Sequence, residues 1–203
     1  MIHFSLPQTS GLARTLLGMS ILFWFESASL QAVTADPGTL PVGAQVDDVA
    51  DLSNLPDGNH QFCSSPEADH TLQGAGVCYW FTKRGSQFIG YYGQPQSDAL
   101  VDCVQGQMQN DRIVGDALAL SWGGAPWMDL AREKPFIWEA LTLKSGQIRH
   151  SAMNRFGRVD LVRFETAELD LKNFYRYGPP EAATMNPPPQ TCEVNDWISK
   201  ISA

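Results

Sequence analysis

Four cysteines, Cys63, Cys78, Cys103 and Cys192, constrain this chain most, because all of them follow a segment that reads as an export leader. Arg14 precedes an apolar run, Leu16–Phe25, broken by Gly18 and Ser20. Val33-Thr34-Ala35 then supplies the small residues that a signal peptidase reads. Residues 1–35 are therefore expected to be a signal peptide, and the cysteines to meet an oxidising compartment, periplasmic or extracellular. Four cysteines allow three pairings. The 15-residue spacing of Cys63 and Cys78 across a Gly-containing loop favours that pair, leaving Cys103 and Cys192 to close a long loop. A metal site is the rival use. Zinc sites want close Cys or His pairs, and no two of these cysteines lie nearer than 15 residues. No metal and no cofactor is expected.

Removing the leader leaves 203 − 35 = 168 residues, one domain's worth. We divide the chain into the leader (1–35), an N-terminal linker (36–56) rich in Pro, Gly and Asp, and a single disulfide-bridged β domain (57–203) with a Pro-rich tail and a C-terminal helix. The net charge of −8 disfavours nucleic acid as a partner. The leader's apolar run spans about half of the ~20 residues a bilayer helix needs, and no longer run follows, so no membrane span is expected after leader removal.

From Gly58 onward, short β-prone runs alternate with turn residues. Strands are expected at Gly58–Ser64, Gly76–Lys83, Gln87–Gly93, Leu100–Gln109 and Arg112–Leu120. A hairpin around Ser145-Gly146 would join Phe136–Leu143 to Gln147–Ala152, with further strands at Val159–Phe164 and Ala167–Tyr177. Gly90, Gly106 and Gly115 fall inside strands, where glycine weakens the ladder unless a bulge, a bend or a close approach requires it. The reading is a mainly all-β fold, an antiparallel meander closed into a barrel or half-barrel. Near the end of the chain, Val194, Trp197, Ile198 and Ile201 lie on one face of a short helix. Cys192 would tie this helix to the barrel, where it could plug one end.

Leu55–Ser64, Gly74–Cys78, Gly90–Pro95, Cys103–Gly106 and Phe174–Tyr177 form a set of motifs. In this set the chain resembles a family of uncharacterised exported cyanobacterial proteins, over most of the span from Leu55 to Cys192. The resemblance implies a secreted, cysteine-bridged β domain and brings no substrate, cofactor or catalytic residue.

No motif points to catalysis. A Gly-x-Ser-x-Gly elbow is absent, and Ser121 before Trp122-Gly123-Gly124 reads as a strand end. His60 reads as a satisfied surface histidine, and Asp69-His70 as part of a solvated loop. Asp102 and Asp116 fall on adjacent strands but not opposite each other, so a glycosidase pair gives way to ordinary outward polar positions. The acidic cluster Asp47, Asp48 and Asp51 lacks calcium-loop spacing.

The aromatics are more informative. Tyr79/Trp80 and Tyr91/Tyr92 are neighbours that must face opposite sides of a strand, so one core cannot hold them all. Tyr and Trp serve ligand sites well. The expected function is non-catalytic binding of a small molecule or glycan through Tyr91, Tyr92, Trp122, Trp127 and Trp138. A secreted hydrolase on the same fold, or an envelope structural or protein-partner module, are the alternatives. A hollow barrel would favour the first reading, and a filled one the last.

Overall fold

The structure, a computed structural model, describes residues 40–201 except 41, 48, 67–73, 96, 98, 99, 123–132, 156 and 179–186. All described residues belong to one compact unit. The leader and Trp127 lie outside them.

A short helix, α1 (Val49–Ser53), precedes nine strands. They are β1 (Gly58–Cys63), β2 (Cys78–Arg84), β3 (Gln87–Gly93), β4 (Leu100–Gln109), β5 (Arg112–Trp122), β6 (Phe136–Trp138), β7 (Leu141–Asn154), β8 (Gly157–Leu169) and β9 (Tyr175–Tyr177). A second helix, α2 (Val194–Ile201), follows. The strands form one antiparallel sheet in the order β6-β7-β8-β5-β4-β3-β2-β1-β9. It curls into a half-barrel. The Tyr92 hydroxyl shows the curl directly. It donates to the Trp138 carbonyl (2.9 Å) and accepts from the Ala140 N–H (3.2 Å), joining β3 to the β6–β7 turn across the interior.

The glycines mark where the sheet bends. Gly106 and Gly115 are register partners on β4 and β5. Irregularities in pairing fall beside Gly90 and Gly115. A Cβ on Gly115 would sit 2.0 Å from the Gln105 carbonyl oxygen, and one on Gly90 would sit 2.0 Å from that of Trp80. No side chain fits there, so the sequence reading of these glycines as points of close approach holds.

Among the described residues the inner face is packed with side chains. Phe62, Tyr79, Phe81, Phe88, Tyr92, Ile113, Leu141, Leu143, Phe164 and Leu169 pack into one cluster there. The Tyr79 hydroxyl is satisfied inside it, donating to the Val104 carbonyl (3.0 Å). Val46, Leu52 and Leu55 join the same cluster, so the segment read as a linker supplies core residues and α1. Residues 43–46 also lie along β9. The Gly43 N–H donates to the Arg176 carbonyl (2.7 Å), and the Val46 N–H to that of Phe174 (2.7 Å).

Three other expectations change. Ser145-Gly146 is not a hairpin turn, because β7 runs straight through it as one strand. Gly146 is buried under the Phe164 ring, where a Cβ would meet a ring carbon at 2.8 Å. The actual turn is at Glu139 (φ 49°) and Ala140, between β6 and β7. Ala167–Tyr177 is not one strand: β8 ends at Leu169, the chain turns at Lys172–Asn173, and β9 pairs with β1. Finally, α2 does not plug an end. It lies on the outer face, with Trp197 and Ile201 buried against Leu118, Val159 and Leu161.

Both disulfides are present. Cys63 and Cys78 are direct partners across β1 and β2, with Cα atoms 4.0 Å apart. Cys103 on β4 bonds Cys192, 89 residues later, just before α2. The Trp197 indole N–H donates to the Thr191 carbonyl (3.2 Å), adding a second hold on the tail.

Candidate functional site

The sheet divides the aromatic residues singled out in the sequence. Tyr92 faces inward, fully buried, and meets Trp138 edge-on with ring centroids 5.5 Å apart. Burial pushes the Tyr92 hydroxyl well above the usual tyrosine range. Tyr91 faces outward beside the α2 cluster, half-buried. Burial and then the Asp102 carboxylate raise its pKa. Trp122 follows Leu118 and Leu120 in alternation on the outer face and is 50% exposed. The structure thus brings Tyr92 and Trp138 together and sets Tyr91 and Trp122 on the opposite side of the sheet.

The remaining polar candidates have partners. His60 is buried rather than on the surface, tilted over Phe81. Its Nε2 lies 2.8 Å from the Pro56 carbonyl. A carbonyl only accepts, so Nε2 carries the proton. Burial is the main cause that lowers the His60 pKa. Asp116 accepts from Gln105 (3.2 Å) and from Arg163 (3.3 Å). Asp102 accepts from the Leu120 N–H (2.6 Å). Both carboxylates serve the fold. Ser121 is buried on β5. Asp160 is buried as well; desolvation opposes its charge, but the Ser151 hydroxyl (2.5 Å) and the Arg158 guanidinium (2.8 Å) outweigh that and lower its pKa. Lys144 (2.5 Å) holds the Glu168 carboxyl below its ordinary range. Asp69-His70 lies outside the described residues. Among the described residues no group of three or more His, Cys, Asp or Glu could hold a metal.

A feature the sequence did not announce is a groove of about 250 Å³ on the outer face. Thr82, Arg84, Gln87 and Gln105 come from β2–β4, with Ile89 between them. The tail segment Pro189–Glu193 walls the other side, held by the Cys103–Cys192 bond. Arg84 donates to the Gln190 side-chain carbonyl, linking the two walls. Register explains the lining: Thr82 pairs with Ile89, Ile89 with Gln105 and Arg84 with Gln87, so all face one way. Tyr91, two residues from Ile89, shares that face. The only signal in the sequence was the polar alternation of Gln87, Gln105 and Gln107; the tail wall comes from a contact 89 residues away.

The groove carries one guanidinium and one carboxylate, Arg84 and Glu193. Three primary amides, Gln87, Gln105 and Gln190, supply both donors and acceptors. Such a lining suits an uncharged, hydrogen-bonding ligand better than an ion. No protein family, characterised protein or solved structure matches the chain.

Proposed function

We propose that this chain is an exported, non-catalytic binding domain, secreted or periplasmic, that takes an uncharged, hydroxyl-rich small molecule or glycan in the groove beside the tethered tail. The amide-lined, charge-balanced groove is the observation that carries this reading. Two disulfides support an oxidising compartment. Among the described residues no helix is long and apolar enough to cross a membrane. Because the inner face is packed with side chains, the ligand is taken outside the sheet. Tyr91, two residues along β3 from Ile89, lies on the same outer face without lining the groove.

Titrating neutral oligosaccharides into the disulfide-bonded protein, followed by the amide NMR signals of the outer face, tests the proposal. Gln87→Ala should weaken binding by about fivefold, the value of one neutral hydrogen bond, without changing the circular dichroism. Unchanged affinity in Gln87→Ala, with a loss in Trp122→Ala instead, would move the site away from the groove and refute this reading.

A second reading, an envelope module that docks a protein partner, is favoured by the filled inner face together with exposed Ile137, Ile148 and Met153 on β6 and β7.

A further inference from the structure

β6 covers only Leu141–Leu143 of β7. From Lys144 to Met153, the edge of β7 away from β8 pairs with no strand among the described residues. An unpaired edge of that length presents a row of backbone donors and acceptors, and natural sheets keep such edges short or guarded. This one also exposes apolar side chains: Ile148 is 39% exposed and Met153 76%. A shallow groove of about 460 Å³ runs along Ser145–Ile148.

Charge selects the occupant. The chain carries −8, yet β7 holds Lys144, Arg149 and His150 and no carboxylate. Lys144 is paired with Glu168 of β8. Arg149 donates to the Gln147 side chain (2.9 Å) and makes no ion pair among the described residues. A second copy of β7 fits poorly, because antiparallel self-pairing over the full edge centres near Arg149. It would bring the two Arg149 side chains together with no acid in the strand to compensate. A neutral strand meets the guard of Lys144, Arg149 and the pairing irregularity between Ile148 and His150. A strand rich in carboxylates turns the same cations into attraction.

We propose that the β7 edge, Lys144–Met153, accepts an extended acidic segment of a partner protein as an added strand. The backbone ladder supplies affinity, Arg149 recognises a carboxylate, and Ile148 and Met153 contact alternate apolar side chains.

The probe is a fluorescent peptide of alternating Val and Glu, about ten residues long to span the edge, with a Val/Lys peptide as control. Anisotropy on the full mature, disulfide-bonded protein should show the Glu peptide binding roughly tenfold more tightly than the Lys peptide, and weakening with salt. Amide hydrogen exchange within residues 145–153 should slow on addition of the Glu peptide. Arg149→Glu and Met153→Glu lie on the surface and should each weaken binding severalfold at unchanged melting temperature. Failure of the Glu peptide to bind or to slow exchange would overturn the proposal. So would β7 amides already fully protected in the free monomer, or a dimer in sedimentation that Arg149→Glu dissolves. Saccharide binding in the outer groove involves neither Arg149 nor Met153, so the two proposals fail separately.

Discussion

Removing the Cys103–Cys192 bond by the double substitution Cys103→Ala/Cys192→Ala tests how the outer face is held. The bond closes a loop with a sequence separation of 89 residues. In the chain-entropy treatment that loop contributes about 4.6 kcal/mol, against about 3 kcal/mol for the 15-residue loop of Cys63–Cys78. Both sulfurs of the longer bridge are buried, so the substitution also leaves a small void beside Leu118 and Trp197. Urea denaturation should therefore show a larger loss for the Cys103/Cys192 variant than for Cys63→Ala/Cys78→Ala. For a domain of this size, 4.6 kcal/mol corresponds to a melting point lower by about 10–18 °C. The dependence on urea should steepen, because the uncrosslinked denatured chain exposes more surface. A loss smaller than that of the Cys63/Cys78 variant would refute the reasoning. It would mean that α2 and the tail are anchored by packing alone, through Trp197 and Ile201.

His60 and Gly115 give two further tests. The His60 pKa is lowered in the folded state, so the unfolded chain takes up the proton first. Its stabilising effect is complete above the unfolded value, near 6.5. It is lost as pH falls below that value, until the folded state also protonates. His60→Gln should flatten stability as pH falls below about 6.5, measured by denaturation at each pH; an unchanged slope would assign that dependence elsewhere. Gly115→Ala places a methyl 2.6 Å from the Gly106 Cα as well as against the Gln105 carbonyl. Overpacking against backbone should cost about 2 kcal/mol, and a loss below about 0.5 kcal/mol in thermal denaturation would show that the β4–β5 ladder can spread.

Local patterns carried most of the architecture. The strands Gln87–Gly93 and Leu100–Gln109 follow directly from apolar alternation and their flanking turns. The face of α2 follows from the spacing of Val194, Trp197, Ile198 and Ile201. What sequence reading missed depends on distant partners. Gly146 resembles a turn residue until Phe164 is known to lie over it. Tyr175–Tyr177, expected to continue the strand from Ala167, is a separate strand because Gln61–Cys63, more than a hundred residues earlier, offers it an edge. The segment before Gly58 looks polar because the buried Val46, Leu52 and Leu55 are spread among Asp and Gly. Tyr91 and Tyr92 were correctly set on opposite faces by alternation. Which face held the core was not readable, because both faces of β3 are apolar: Phe88 and Tyr92 inward, Ile89 and Tyr91 outward.

The position of Cys192 imposes an order of events on biogenesis. Cys78 follows Cys63 by 15 residues, whereas Cys192 follows Cys103 by 89. The partners of the shorter bridge are therefore delivered together, and those of the longer one far apart. Until the longer bridge closes, Leu118, Val159 and Leu161 await their cover, and the nascent domain passes through a stage with an apolar flank bare to solvent. Chains in which Cys192 stays unpaired would remain in that sticky state, so closure of the longer bridge acts as a checkpoint for the outer face.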